Sequence, residues 1–257
     1  LSGAAIGKGG YSHFMLKEIY EQPQVIGDTL HSYINPVTRT VTLPPLNFNL
    51  SSIKKMTLVA CGSSYIACLI AKYWFEQISH ISVEVDIASE FRYRKTVMEK
   101  GGASLFISQS GETIDTLAAL RYAKSKNQRI LSIVNSPESA IARESDVVFH
   151  SNAGPEIGVA STKALTTQLT VLACFCVALA KARGAITNEE QARLTDALTE
   201  IPARAAEILN HDERIAEIAH SIHESRDALY LGRGTSYGVA LEGALKLKEI
   251  SYIHAEG

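Results

Sequence analysis

The chain has 257 residues, with 25 Lys plus Arg set against 27 Asp plus Glu, a formal charge of −2. Hydrophobic residues make up 46% and charged residues 20%, a globular usage that argues against disorder and supplies a core for one or two domains. This balance leaves no electrostatic footprint for non-specific nucleic-acid or membrane binding, so neither partner is expected.

In chain order, Leu1-Ser2-Gly3-Ala4-Ala5 has no basic segment leading into an apolar run, and no signal peptide is predicted. A helix is predicted over His13–Gln22, stopped by Pro23. Residues 31–50, with Asn35-Pro36, Pro44-Pro45 and alternating Thr and Val, read as an irregular or hairpin connection. From Lys55 onward short apolar runs alternate with helical segments. Strands are predicted at Met56–Ala60, Ser82–Ile87, Ser104–Ser108, Arg129–Val134 and Asp146–His150. Helices are predicted from the first turn to Ser79, over Thr113–Lys126, near Ser136–Arg143 and over Thr162–Arg183, the last closed by Gly184. Buried runs alternating with helices imply an α/β fold, a doubly wound parallel five-stranded sheet covered on both faces. A helical link follows over Asn188–His223 with a break at Pro202. A strand at Ala228–Leu231, a Gly-Arg-Gly turn and a helix over Tyr237–Ile253 then restart the theme. Leu58–Tyr65 and Tyr230–Tyr237 align as an internal repeat in which small residues, a Ser/Thr pair and a Tyr recur in register. The expected division is a leader helix and linker (1–46), a first sheet domain (47–186), a helical connection (187–218) and the start of a truncated second copy (219–257).

Cys61, Cys68, Cys174 and Cys176 form no CxxC pair and sit in apolar runs. They read as reduced packing residues of a cytoplasmic protein, with Cys61 at a loop mouth as a lining residue or, less simply, a nucleophile. The histidines are scattered, and no metal or cofactor is expected. The apolar run Leu169–Ala180 is shorter than the ~20 residues of a membrane span.

In an open α/β sheet ligands bind beyond the carboxyl ends of the strands. Two such ends carry Gly with hydroxyl residues at a helix start: Cys61-Gly62-Ser63-Ser64 and Ser108-Gln109-Ser110-Gly111-Glu112-Thr113. These hydroxyls read either as N-caps or as a phosphate cradle, since helix N-termini attract anions and Ser and Thr can donate to phosphate oxygens. Two such loops on neighbouring strands favour the cradle. The absence of GxxxxGK[ST] and GxGxxG points away from nucleotides and toward a small phosphorylated metabolite. The Gly-rich run Asn152–Lys163 after the fifth strand reads as a wall over the same end or as an ordinary connection. Glu242, Lys246 and Glu249 share one face of the last helix. Spacing alone reads them as a solvated pair, with a proton relay as the alternative.

Four longer motifs, His13–Pro23 (HFMLKEIYEQP), Ser108–Thr113 (SQSGET), Glu156–Lys163 (EIGVASTK) and Ala240–Glu256 (ALEGALKLKEISYIHAE), closely resemble the isomerase half of the glutamine–fructose-6-phosphate aminotransferase family. The resemblance implies tandem sugar-isomerase (SIS) domains that convert fructose 6-phosphate to glucosamine 6-phosphate. It places phosphate contacts at Ser64, Ser108, Gln109, Ser110 and Thr113, and sugar contacts at Cys61, Gly62, Ser63, Val159 and Ser161. Ser63 is often Thr in the family, a change that keeps the hydroxyl. By the same resemblance Glu249 is the base moving a proton between C1 and C2, Lys246 assists at the sugar oxygens and Glu242 supports the site. A homodimer is implied, with a ring-opening histidine reaching across from the partner, together with a glutaminase domain in the full-length protein. That histidine and a Schiff-base lysine would lie past Gly257, so the full synthase reaction is not expected from these residues alone. The competing expectation is a non-catalytic SIS module that binds sugar phosphates as a regulator; it has no need of a proton-transfer carboxylate.

Overall fold

The computed structural model describes residues 7–257; the signal-peptide reading of Leu1–Ala5 lies outside the described residues. Among the described residues the first helix, α1, runs over Phe14–Tyr33, well past Pro23. Proline removes the N–H that would bond the Ile19 carbonyl. The side chain of Gln22 takes that place, Nε2 donating to Ile19 O at 3.1 Å, so the predicted stop becomes an interior position. A small hairpin of β1 (Ile34–Asn35) and β2 (Thr40–Val41) follows.

The main sheet is built from β3 (Lys55–Ala60), β4 (Ser82–Ile87), β5 (Ala103–Ser108), β6 (Arg129–Val134) and β7 (Val147–His150), all parallel, in the order β4-β3-β5-β6-β7. Its connecting helices are α2 (Gly62–Ile78), the short α3 (Ala88–Phe91), α4 (Ile114–Ser125), α5 (Ala140–Glu144) and α6 (Lys163–Ala182). The one-turn α3 has no counterpart among the predicted elements, because four residues are too few for a helical period to show. The three central strands are buried almost throughout, whereas edge strand β7 alternates and edge strand β4 is only partly covered, with exposed ends. Central strands covered on both faces read as continuous apolar runs for this reason.

Successive strand residues feed two cores. Leu58, Leu105, Ile107 and Ile133 pack with Phe75 and Phe175 under α1, α2 and α6. Val59, Phe106, Ile130 and Val134 pack with Phe91 and Leu120 on the opposite face. Tyr33, Phe149, Phe175 and Phe75 form a chain of rings whose successive centroids lie 5.0–6.4 Å apart. The predicted apolar run within α6 belongs to a 20-residue helix that by length and composition could cross a membrane, yet most of it is buried in this core. Burial pushes the thiols of Cys174 and Cys176 up to about 12 and that of Cys68 higher still, as expected for inert packing cysteines.

The helical link is three helices, α7 (Asn188–Thr199), α8 (Ile201–Leu209) and α9 (Asp212–Ile222). The break falls at Glu200 rather than Pro202, because proline is tolerated in the first helical turn. A second interruption at Asn210–His211 carries no Gly or Pro signal. Thr187 and Glu190 close a reciprocal capping box at the start of α7.

The restart is β8 (Asp227–Leu229) and α10 (Thr235–Ser251). This helix ends before the predicted Ile253. Tyr252 turns back at φ +60°, and β9 (His254–Glu256) pairs parallel to β8. The repeat is matched in geometry: Gly62 and Gly234, in equivalent places, have φ +57° and +58°, a left-handed conformation that glycine adopts at little cost. α10 lies along α2 at Gly238, where an added Cβ would fall 2.4 Å from Ile70 Cγ1. Gly238→Val is predicted to overpack this crossing and lower stability by about 1–3 kcal/mol. Urea unfolding measures it; an unchanged midpoint would mean the two helices do not hold each other at this point.

Candidate active site

The order β4-β3-β5 reverses direction between β3 and β5, and a ligand crevice forms outside the carboxyl ends at such a switch point. Both hydroxyl loops sit there. A cavity of about 320 Å³ is lined by Cys61, Ser63, Ser64, Ser108, Gln109, Ser110 and Thr113, together with Val159, Ser161, Lys246 and Glu249. Of the residues singled out from sequence, Gly62 and Glu242 do not line the cavity. Gly62 makes the turn into α2, and Glu242 lies behind Ser63.

Capping does not account for the hydroxyls at the helix boundaries themselves. The N-cap positions of α2 and α4 are Cys61 and Thr113, and neither side chain makes a cap hydrogen bond. Ser108 Oγ accepts the Gly111 N–H at 3.0 Å and lies 2.9 Å from Thr113 Oγ1. Ser110 Oγ accepts the Glu112 N–H at 3.2 Å. A hydroxyl that accepts from the backbone keeps its own proton to donate outward. The loop is therefore shaped by its serines, and Ser110 is left able to serve an anion placed before the start of α4, where the helix dipole adds to the attraction.

The opposite wall comes from α10. Ser63 Oγ donates to Glu242 Oε1 at 2.8 Å and accepts from Lys246 Nζ at 3.1 Å. Lys246 also donates to Glu249 Oε2 at 2.7 Å and lies 3.4 Å from Glu242 Oε1. Glu242 is only 7% exposed, and its Oε2 is buried without a partner. The solvated pair expected from spacing is thus overturned at Glu242: packing against α2 draws the carboxylate inward, where a charge is tolerated only when paired and hydrogen-bonded. Glu249, at the rim, remains exposed.

The third wall is the segment after β7. Asn135, at the end of β6, accepts the Ala153 N–H at 2.8 Å and donates to Gly154 O at 2.7 Å. Glu156 Oε1 accepts from Thr162 N at 2.9 Å and Ala164 N at 3.1 Å, capping α6 across six residues. Val159 stands fully exposed at the cavity edge. Two contributors leave no mark that sequence reasoning could use. Glu156 lines the cavity, and its capping distance matches no short cap motif. Glu18 of α1 is buried and accepts the Ile157 and Gly158 N–H groups at 2.6 and 2.9 Å; partners some 140 positions apart leave no local signal. Nearby, Lys163 Nζ donates to Glu21 Oε2 at 2.6 Å. Burial opposes ionisation of Glu21, but Lys163 and Lys17 outweigh it and hold the carboxyl below the usual range.

A larger apolar cleft of about 420 Å³ lies between α2, α6 and α7, lined by Trp74, Leu169, Val177 and Leu198. It lacks convergent charged groups to orient a polar ligand, so the hydroxyl-lined cavity is the better candidate.

These features define a doubly wound α/β protein with a hydroxyl-lined crevice at its switch point. The chain belongs to the SIS domain family, whose signature matches residues 49–178 and 221–257. It is similar to glutamine–fructose-6-phosphate aminotransferase (isomerizing) of Zymomonas mobilis, with 54% identity over 256 residues, and of Bradyrhizobium diazoefficiens, with 53% over 257. Each match covers 100% of this chain and 42% of the relative, so the chain spans less than half the length of these relatives. Among solved structures, the C-terminal domain of glucosamine-fructose-6-phosphate aminotransferase from Francisella tularensis superposes with a TM-score of 0.94 at 45% identity, over 97% of this chain and 70% of that one. A glucosamine-6-phosphate deaminase from Thermotoga maritima shares the fold, with a TM-score of 0.64 at 22% identity, over 95% of this chain and 69% of that one.

Ser63→Ala is predicted to leave Glu242 short of a donor and cost about 1–3 kcal/mol, whereas Ser63→Thr, which keeps the hydroxyl, stays within about 0.5 kcal/mol of the parent. Urea denaturation of both variants checks this; equal losses would mean the hydroxyl is not what matters.

Proposed function

We propose that the chain binds fructose 6-phosphate in the switch-point crevice and forms the sugar-isomerising part of an enzyme that makes glucosamine 6-phosphate. The carrying observation is that two hydroxyl loops suited to a phosphate and a Lys246–Glu249 pair suited to proton transfer face one another across one cavity. The names of the relatives supply the substrate class. The two matched segments support the division into a first domain over 47–186 and a second unit from 219.

In this reading Ser64, Ser108, Gln109, Ser110 and Thr113 hold the phosphate, and Cys61, Ser63, Val159 and Ser161 surround the sugar, with Gly62 making the turn that presents Ser63. Ammonia adds to the C2 carbonyl of the open-chain ketose, and water leaves to give an imine. Glu249 takes the proton from C1 and returns it to C2. The C1 hydroxyl loses its proton to become the aldehyde, the imine nitrogen gains one, and C2 is left bearing the amine. One carboxylate serves both transfers because the proton is taken and given on the same face. Lys246 steadies the charge that develops on the sugar oxygens and, through its hydrogen bond to Glu249 Oε2, holds that carboxylate in place. Glu242, through Ser63 and Lys246, fixes the position of the ammonium. Ammonia would come from a glutaminase unit in a full-length protein of the relatives' length. The proposed assembly is a homodimer.

Calorimetric titration with fructose 6-phosphate tests the reading. Saturable binding is expected, weakened about tenfold by Ser110→Ala and little changed by Glu249→Gln, which alters a proton carrier rather than a phosphate contact. Absence of binding, or binding indifferent to Ser110, would contradict it. For the assembly, light scattering on a sizing column is expected to give a dimer at micromolar concentrations, and a monomer throughout would remove that part.

A further inference from the structure

The crevice wall formed by residues 157–161 is held from outside the sheet, by α1. Glu18 is 2% exposed, and its Oε1 takes both the Ile157 and Gly158 N–H groups. Its Oε2 is buried with no partner and lies so close to Gly158 that an added Cβ would fall 2.5 Å away. Burying a carboxylate is costly unless hydrogen bonds offset it, and an apolar side chain would pack α1 here at less cost. What the carboxylate adds is a fixed position for two amides directly before Val159. One turn further along α1, Glu21 holds the ammonium of Lys163 at 2.6 Å, and Lys163 is itself buried. The segment from Ile157 to Lys163 is therefore clamped at both ends by carboxylates on one face of α1, three residues apart.

We propose that Glu18, with Glu21, is a positioning residue of the crevice: it sets the loop that closes over the sugar end of the ligand and has no part in holding the phosphate end. This rests on the reading of the crevice as a sugar-phosphate site. Phosphate contacts come from the loops after β3 and β5, which Glu18 does not touch. Val159 and Ser161 come from the clamped loop. Loss of the clamp thus separates the two ends of the ligand, whereas general damage to the fold would weaken both together.

The test uses Glu18→Ala, with two ligands and one probe of the loop itself. Fructose 6-phosphate affinity is expected to fall about tenfold, while the affinity for inorganic phosphate is unchanged. Amide hydrogen exchange over 157–161 is expected to speed up about tenfold or more, with β5 and β6 still protected. Unchanged exchange in that segment, or equal weakening of both ligands, would overturn the proposal. Should Glu18→Ala not fold, Glu21→Gln, at a partly exposed carboxylate, is expected to give the same pattern from the other end of the clamp, and its failure to do so would overturn the proposal equally. If the unaltered protein binds neither ligand, the sugar-phosphate reading fails, and the exchange result still decides whether Glu18 holds the loop.

Discussion

The hydrogen bonds through Ser63 Oγ tie the second strand–turn–helix unit to the ligand end of the first sheet, and the site depends on that tie. Without α10 against α2, the crevice would keep its hydroxyl loops but lose Lys246 and Glu249. The contact is possible because residue 238 is glycine and lets the helix backbone approach Ile70. It is directed because Ser63, the residue after the turn glycine, presents an oxygen that both donates to Glu242 and accepts from Lys246. One small residue sets the distance and one hydroxyl sets the orientation. β8 and β9 form only a two-stranded sheet, too little to hold α10 in place unaided.

The same economy governs the polar end of the sheet. A parallel sheet aims its helix N-termini at the carboxyl ends of its strands, so anion-attracting amides gather wherever the strand order reverses. Serines and a threonine in the β5 loop add donors without adding charge. In the proposed reading such a surface would hold a phosphate without a fixed charge, and the cation of the crevice is Lys246 on the opposite wall. The charges of Lys246 and Glu242 are paired within the crevice wall, which fixes the ammonium beside Glu249 at the open rim.

Most of the architecture is legible in the sequence because each strand carries its own burial pattern: runs such as Ser104–Ser108 and Arg129–Val134 announce strands covered on both faces, and the repeat around Gly62 and Gly234 announces the second unit. The departures share a physical cause, compensation by a neighbour that local pattern does not weigh. Pro23 should end a helix, but Gln22 replaces the lost hydrogen bond. Pro202 should break one, but it falls where a proline costs nothing. Glu242 and Lys246 have the spacing of a solvated pair, yet Glu242 is buried and Lys246 half-buried because α2 lies against them. The hydroxyl loops are visible as Gly-Ser-Thr clusters at strand ends, whereas Glu18 and Glu156 are not, since their partners are chosen by tertiary approach. The roles proposed for α10 come from the long motifs resembling the aminotransferase family; spacing alone points the other way, to a pair of side chains in solvent.

In the proposed reading one cavity holds a sugar phosphate with its phosphate on the β3 and β5 loops and its first two carbons before α10. A crystal structure of the protein with fructose 6-phosphate at saturating concentration tests this most directly. The phosphate is expected within hydrogen-bond distance of Ser64, Ser108, Ser110 and Thr113, with C1 and C2 facing the Glu249 carboxylate. A phosphate bound elsewhere, or a sugar turned with C1 and C2 away from α10, would contradict it.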